Sequence, residues 1–213
     1  MPVRLTRAER KQQTRAELLA AAQRVFSRRG FHGASLNEIA EEAGYTFGAV
    51  YSNFRNKDDL FLAVLDAEQQ ARFPGLVDVM LDAPSLEAGL RAFAREFAQY
   101  AQRHPNWTAL YVEFWTHASR QPELRQQVAQ RHERLIDTAT RLLAEEFARR
   151  WWVEFTIPAR DVVRGTYALS RGIGLERLLD PQATPLAQFE DMFLAYAMGA
   201  IRPRTGTAAP EQP

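Results

Sequence analysis

The chain has 213 residues, 46% of them hydrophobic, no cysteine, and 27 Lys+Arg against 26 Asp+Glu, a formal net charge of +1. That much apolar material builds a core, which excludes a wholly disordered chain. The absence of cysteine excludes disulfide frameworks, thiolate zinc sites, iron–sulfur clusters and thiol nucleophiles. No window approaches the ~20 apolar residues of a bilayer span, and the polar start carries no signal-peptide core, so the sequence predicts a cytoplasmic protein without a membrane partner.

The charges are unevenly placed. Residues 1–57 hold 10 Lys+Arg against 5 Asp+Glu, and the remainder 17 against 21. A basic first quarter on an acidic remainder suggests one part that meets a polyanion and one that does not.

In chain order, Leu18, Leu19, Ala22, Val25 and Phe26 recur on one face of a helix predicted from Thr14 to Arg29, with Gly30 placed to end it. Ser35-Leu36-Asn37-Glu38 has the spacing of a capping box and opens a second helix that turns Leu36, Ile39, Ala40 and Ala43 inward and stops at Gly44. Thr46 caps a short third helix through Tyr51. Asn56-Lys57-Asp58-Asp59 opens a fourth, with Leu60, Phe61, Val64 and Leu65 as its buried stripe. Pro74-Gly75 predicts a break or kink. Further helices follow from Ser85 to about Arg103, from Pro105, from Pro122 to Arg150, over 159–179, and over 185–200 with Thr184 as N-cap and Pro185 at the first position. Trp151-Trp152 is read as packing at a helix end. There is no strand alternation of useful length. The expected fold is therefore all-α, with about nine helices.

The segment Ser35–Phe54 places two short capped helices around a tight turn at Gly44, the helix-turn-helix arrangement that lays its second helix in the DNA major groove. Thr46, Phe47, Gly48, Ala49, Ser52 and Asn53 are left to face a groove. Ser35 and Lys57, each at a helix start, suit phosphate, and Tyr51 offers a phenol at the end of the short helix.

At these residues the chain resembles the tetracycline-repressor-like (TetR) family of bacterial regulators. The resemblance runs through Leu18-Leu19-Ala20-Ala21-Ala22, Phe26, Gly30-Phe31, Ser35-Leu36-Asn37-Glu38-Ile39-Ala40, Ala43-Gly44-Tyr45-Thr46-Phe47-Gly48-Ala49-Val50-Tyr51, Phe54, Asn56-Lys57 and Leu60, and covers about residues 10–66. It implies base contacts from the short helix and phosphate contacts from Ser35, Tyr51 and Lys57. Three positions depart from the family pattern. Tyr45 stands where a smaller aliphatic is usual, Phe47 where a polar residue is often found, and Asn53 where histidine or tyrosine is common. Phe47 is open to two readings, a packing residue or an apolar contact to a thymine methyl.

The resemblance further implies a DNA-binding domain at 10–57 and a ligand-binding and dimerisation domain at 58–201; residues 1–9 are read as a flexible arm, and the polar, Pro-rich composition of 202–213 predicts a disordered tail. Candidate pocket residues are the aromatics Phe93, Phe97, Tyr100, Trp107, Tyr111, Phe114 and Trp115, with plain core packing, the commoner role of such a stripe, as the alternative. Glu113 and His117, one helical turn apart, are candidates to orient a polar group of a mostly apolar effector, with a solvated Glu–His pair as the alternative the sequence favours. The last two helices are candidates for a four-helix dimer interface through Val163, Tyr167, Phe189, Met192, Phe193 and Tyr196, with an intramolecular core as the alternative. Gly165, Gly172 and Gly174 on the first of these helices suggest close approach or a kink.

His32, His104, His117 and His132 are scattered without metal-ligand spacing, and no nucleophile elbow, phosphate loop or dinucleotide fingerprint occurs. The sequence therefore predicts no catalytic residue, no metal and no cofactor. The function expected is that of a homodimeric, sequence-specific regulator, a repressor released from a palindromic DNA operator by a small apolar or aromatic effector. An effector-independent DNA-binding or architectural protein is the alternative, and a helical enzyme the remote one.

Overall fold

The computed structural model describes residues 6–182 and 185–204, apart from the side chains at 72–74 and 186. Among the described residues the chain forms nine helices and one two-stranded ribbon. The helices are α1 (Arg7–Gly33), α2 (Leu36–Glu42), α3 (Phe47–Tyr51), α4 (Lys57–Leu81), α5 (Leu86–Arg103), α6 (Pro105–Ser119), α7 (Pro122–Leu142), α8 (Ala159–Leu179) and α9 (Leu186–Gly199). Helix α7 runs on through a π-helical turn, Leu143–Phe147, into a last turn, Ala148–Arg150.

Local chemistry explains most boundaries. Helix α1 begins well before the apolar stripe because Thr6 and Glu9 close a full capping box. The Thr6 hydroxyl accepts from the Glu9 amide at 3.2 Å, and the Glu9 carboxylate accepts from the Thr6 amide at 2.7 Å. Gly30 takes the positive φ expected of it, +71°, but with ψ 175° it interrupts the helix rather than ending it, and one more turn follows to Gly33. Ser35, Thr46 and Ser85 each accept a backbone N–H three residues on. The box predicted at Ser35 is only half formed, because the Glu38 carboxylate turns to Arg29 at 3.1 Å.

Three expectations change. The helical span of α4 continues through Pro74-Gly75, so the chain does not break there, although an interior proline removes one hydrogen bond and crowds the carbonyl one turn back. Pro185 stands one residue before α9 rather than in its first turn, while the Thr184 cap lies outside the described residues. Arg202 and Pro203, assigned to the disordered tail, lie in a strand. Strand β1 (Val153–Phe155) pairs antiparallel with β2 (Ile201–Pro203), Glu154 facing Arg202. Residues 1–5 of the arm and 205–213 of the tail lie outside the described residues.

The chain divides into two compact units. The first comprises residues 1–72 and 109–125. Its core joins Leu18, Val25, Phe26 and Phe31 of α1 to Ile39, Val50, Phe54, Leu60 and Phe61, and to Leu110 and Phe114 of α6. The second comprises residues 73–108 and 126–213, and α5 packs along α9 in its core. Leu90, Ala94 and Ala98 meet Phe189, Phe193 and Ala197 there, with Phe147 and Val153. No helix among the described residues is long and apolar enough to cross a membrane.

Candidate nucleic-acid interface

The turn between α2 and α3 is built as the sequence requires. Gly44 takes φ +72° with nothing near its missing Cβ, and its amide donates to Glu41 O at 3.0 Å. The Tyr45 amide then donates to Ala40 O at 2.9 Å, so the chain leaves α2 at once and enters α3 at Thr46. Val50 is the buried anchor of α3. Ser35, Thr46, Phe47, Gly48, Tyr51 and Ser52 are exposed, whereas Ala49, Asn53 and Lys57 are half-buried.

Two tethers from α1 hold the ends of α3. At one end the Tyr45 hydroxyl donates to the Glu17 carboxylate at 2.6 Å and accepts from Thr14 at 3.4 Å. The hydrogen bond from Tyr45 holds the Glu17 carboxyl below its ordinary range. At the other end Arg15 donates to Asn53 O at 2.9 Å and stacks over the Phe54 ring at 4.2 Å. The sequence marked Tyr45 as unusual without giving it a task. A phenol in place of a small aliphatic was the signal that a polar partner lay within reach. Arg15 carried no signal at all.

The polar side chains of the α3 segment mostly serve α3 itself. Thr46 caps the Ala49 amide, Ser52 donates to Ala49 O at 2.8 Å, and Asn53 folds back to donate to the same carbonyl at 2.8 Å. The aromatic pair projects instead. Phe47 and Tyr51 are 45% and 51% exposed, and their rings meet edge to face at 4.8 Å.

Lys57 sits at the start of α4. Its ammonium donates to Ala34 O at 3.1 Å and His32 O at 3.3 Å and lies 4.7 Å from the Phe31 ring. These contacts fix it beside the Ser35 cap and leave one of its three donors uncommitted. Of the other cations in this unit, Arg24 and Arg28 both pair with Glu42, whose carboxyl they hold low. Arg29 pairs with Glu38, and Arg55 with Asp59. Among the described residues Arg7, Arg10 and Lys11, on the first turns of α1, enter no ion pair.

The expected effector residues do not gather in one unit. Phe114 is fully buried in the first unit, 4.3 Å from Phe61 and 5.0 Å from Phe31. Tyr111 and Trp115 pair at 4.8 Å in that unit. Glu113 and His117 use their polar atoms there as well. The Glu113 carboxylate accepts from the amides of Phe31 at 2.8 Å and His32 at 2.7 Å. His117 Nε2 lies 3.0 Å from Asp58 Oδ1 and 2.8 Å from the Gln121 side-chain amide. Phe93, Phe97, Tyr100 and Trp107 belong to the second unit.

Most expected dimer residues point inward in the single chain. Phe189 packs at a tilt against Phe97 at 5.3 Å, and Phe193 stacks on Phe93 at 5.1 Å. Both are buried, as is Val163. Tyr167 is half-buried beside His132. The Tyr196 hydroxyl donates to Asp161 O and Val162 O across Gly165, whose missing Cβ leaves room for the phenol. Met192 alone of the six is exposed. Periodicity identified the apolar face of α9, and that face is occupied by α5 of the same chain.

Residues 18–64 match the model for bacterial regulatory proteins of the tetR family, and residues 86–202 that for the C-terminal part of BetI-type transcriptional repressors. The chain is 43% identical over 74 residues to the transcriptional regulator AcrR of Shigella flexneri, covering 30% of this chain and 34% of that one. It is 31% identical over 125 residues to the transcriptional repressor AcnR of Corynebacterium diphtheriae, covering 59% of this chain and 60% of that one. These matches span less than two thirds of either relative. The fold is similar to that of FadR from Bacillus subtilis, solved with stearoyl-CoA, at a TM-score of 0.67 and 16% identity over 86% of this chain and 98% of that one. With both halves matched and a helix-turn-helix exposed at α2–α3, the chain belongs to the TetR family of DNA-binding transcriptional regulators.

Proposed function

We propose that the chain is a cytoplasmic, homodimeric repressor that binds a palindromic operator and leaves it when a small, mostly apolar or aromatic effector binds. One observation carries this reading. Helix α3 stands exposed at its outward face, with Phe47 and Tyr51 projecting, and is tethered at both ends by Tyr45–Glu17 and Arg15–Asn53. Residues 10–57 form the reader: Thr46, Phe47, Gly48 and Ala49 toward bases, and Ser35, Tyr51, Ser52, Asn53 and Lys57 toward backbone. Arg7, Arg10 and Lys11 add free cations for phosphates.

Dimerisation falls to residues 58–201. On α8 the residues Ala168, Gly172, Leu175 and Leu179 are exposed at i, i+4, i+7 and i+11, and on α9 Met192 and Met198 are exposed. These outward stripes, rather than Phe189 and Phe193, would meet a second copy. Family members act as dimers and bind small molecules, and a fold neighbour was solved with stearoyl-CoA. In the second unit the half-buried Phe93, Phe97, Tyr100 and Trp107 suit such an effector. The Trp151 indole N–H, buried without a hydrogen-bond partner beside that unit's core, would give it one polar anchor.

The test is selection of bound duplexes from random DNA, with and without a metabolite library. Palindromes with half-sites about one helical turn apart, lost when one compound is present, are the expected result. Enriched sites without two-fold symmetry would refute the dimeric reader. Sites that no compound releases would leave an effector-independent regulator. Lys57→Ala should flatten the salt dependence by about one phosphate per subunit. An unchanged slope removes Lys57 from the phosphate set.

A further inference from the structure

The hydrogen-bonding side chains that read bases by paired donors and acceptors, Arg, Lys, Gln, Glu and free Asn, are missing from the outward face of α3. The helix itself is Phe47-Gly48-Ala49-Val50-Tyr51. Its flanking polar groups make local bonds, Thr46 accepting from the Ala49 amide and Ser52 and Asn53 donating to the Ala49 carbonyl, so none of them offers a paired donor and acceptor. Gly48 and Ala49 add no bulk, so nothing on this face rises above the two rings. Phe47 is 45% exposed although burial of a phenylalanine is strongly favoured, and Tyr51 supports it edge to face at 4.8 Å. The tethers from Arg15 and Glu17 fix the helix that carries both rings.

Of the groups that base pairs present in the major groove, one is apolar: the C5-methyl of thymine. We propose that the Phe47–Tyr51 pair is an apolar reader of a thymine methyl in each operator half-site, Phe47 making the contact and Tyr51 holding its ring in place. The inference rests on the DNA-binding reading above and adds to it the chemical group that sets specificity.

Deoxyuridine pairs like thymidine and lacks only that methyl. Operators recovered by selection on the full-length chain are rebuilt with single T→U replacements and measured by fluorescence anisotropy at fixed salt. At one symmetry-related position, replacement should weaken binding about fourfold per half-site and about fifteenfold for both, the loss expected for one exposed methyl. With Phe47→Ala, checked for unchanged helicity and thermal midpoint, the same replacement should alter affinity by less than about 1.5-fold. Phe47→Leu, which keeps an apolar side chain, should retain part of the discrimination. Equal binding of T and U at every position overturns the proposal, as does a full uracil penalty that survives in Phe47→Ala. Recovery of no enriched duplex at all overturns the DNA-binding reading instead, so the two failures are told apart.

Discussion

Replacing Glu113 by alanine should destabilise the first unit. The carboxylate of Glu113, on α6, accepts the first two amides after the Gly30 break, Phe31 at 2.8 Å and His32 at 2.7 Å. Both follow the non-helical Gly30, where helix-start donors call for an acceptor from outside the helix. His32 is exposed, so water can replace the lost acceptor there. Phe31 is 1% exposed and packed against Phe26, Phe61 and Phe114, so its amide is left without one. An unsatisfied buried donor costs about 1–3 kcal/mol, and adding a discounted exposed bond gives an expected loss of about 2–3 kcal/mol.

Gly30 supplies an internal control. A Cβ there would lie 2.7 Å from a Glu113 carboxylate oxygen, on a residue already at φ +71°. Gly30→Ala alone should cost the positive-φ backbone strain of about 1–3 kcal/mol plus the displacement of Glu113. In a Glu113→Ala background only the strain remains, so the pair should be non-additive by about 1 kcal/mol or more. Urea unfolding followed by circular dichroism, at one protein concentration because of the proposed dimer, measures the wild type and the three variants. A Glu113→Ala loss below about 0.5 kcal/mol, or an additive cycle, would refute the assignment of Glu113 as the acceptor for this turn.

Three further outcomes are expected. Tyr45→Phe should return the Glu17 carboxyl toward its ordinary value of 4.5, read by NMR titration. Because the folded value is depressed, the stability linked to it is complete above that range and is lost as pH falls through the folded value, so wild type and variant should converge in acid. An unshifted Glu17 titration in Tyr45→Phe would remove the tether. Gly172→Leu, at a site with no neighbour within 4 Å in the chain, should leave the monomer fold intact and weaken self-association in sedimentation experiments. A dimer of unchanged affinity would move the interface elsewhere. His132 should titrate below 6.5, chiefly through burial and secondarily through Arg171. Arg171→Gln should raise that value only part of the way, and a full return to 6.5 would show that charge, not burial, dominates.

What was legible in the sequence was what neighbours in the chain decide. Ser35, Thr46 and Asn56 cap helices because a hydroxyl or amide reaches a backbone N–H three residues away whatever the rest of the protein does. Gly30 and Gly44 turn the chain for equally local reasons. The reader's frame was therefore visible, whereas Phe47 stayed open between packing and exposure. Long-range partners were not. An acid at position 113 says nothing about amides at 31 and 32, and a phenylalanine stripe on α9 does not state whether α5 or a second copy covers it. The ribbon was missed for another reason, since three residues per strand are too few to show alternation.

That ribbon joins positions far apart in sequence. Phe155 is paired with Ile201, and the Arg204 amide donates to Trp152 O at 3.1 Å, so the stretch holding α8 and α9 leaves and returns at one place. A hairpin clasped at its base has little loop entropy left to recover by opening. Proteolytic cleavage between its two arms would yield fragments that stay together, and a neighbouring molecule could trade this hairpin only by first unzipping the clasp.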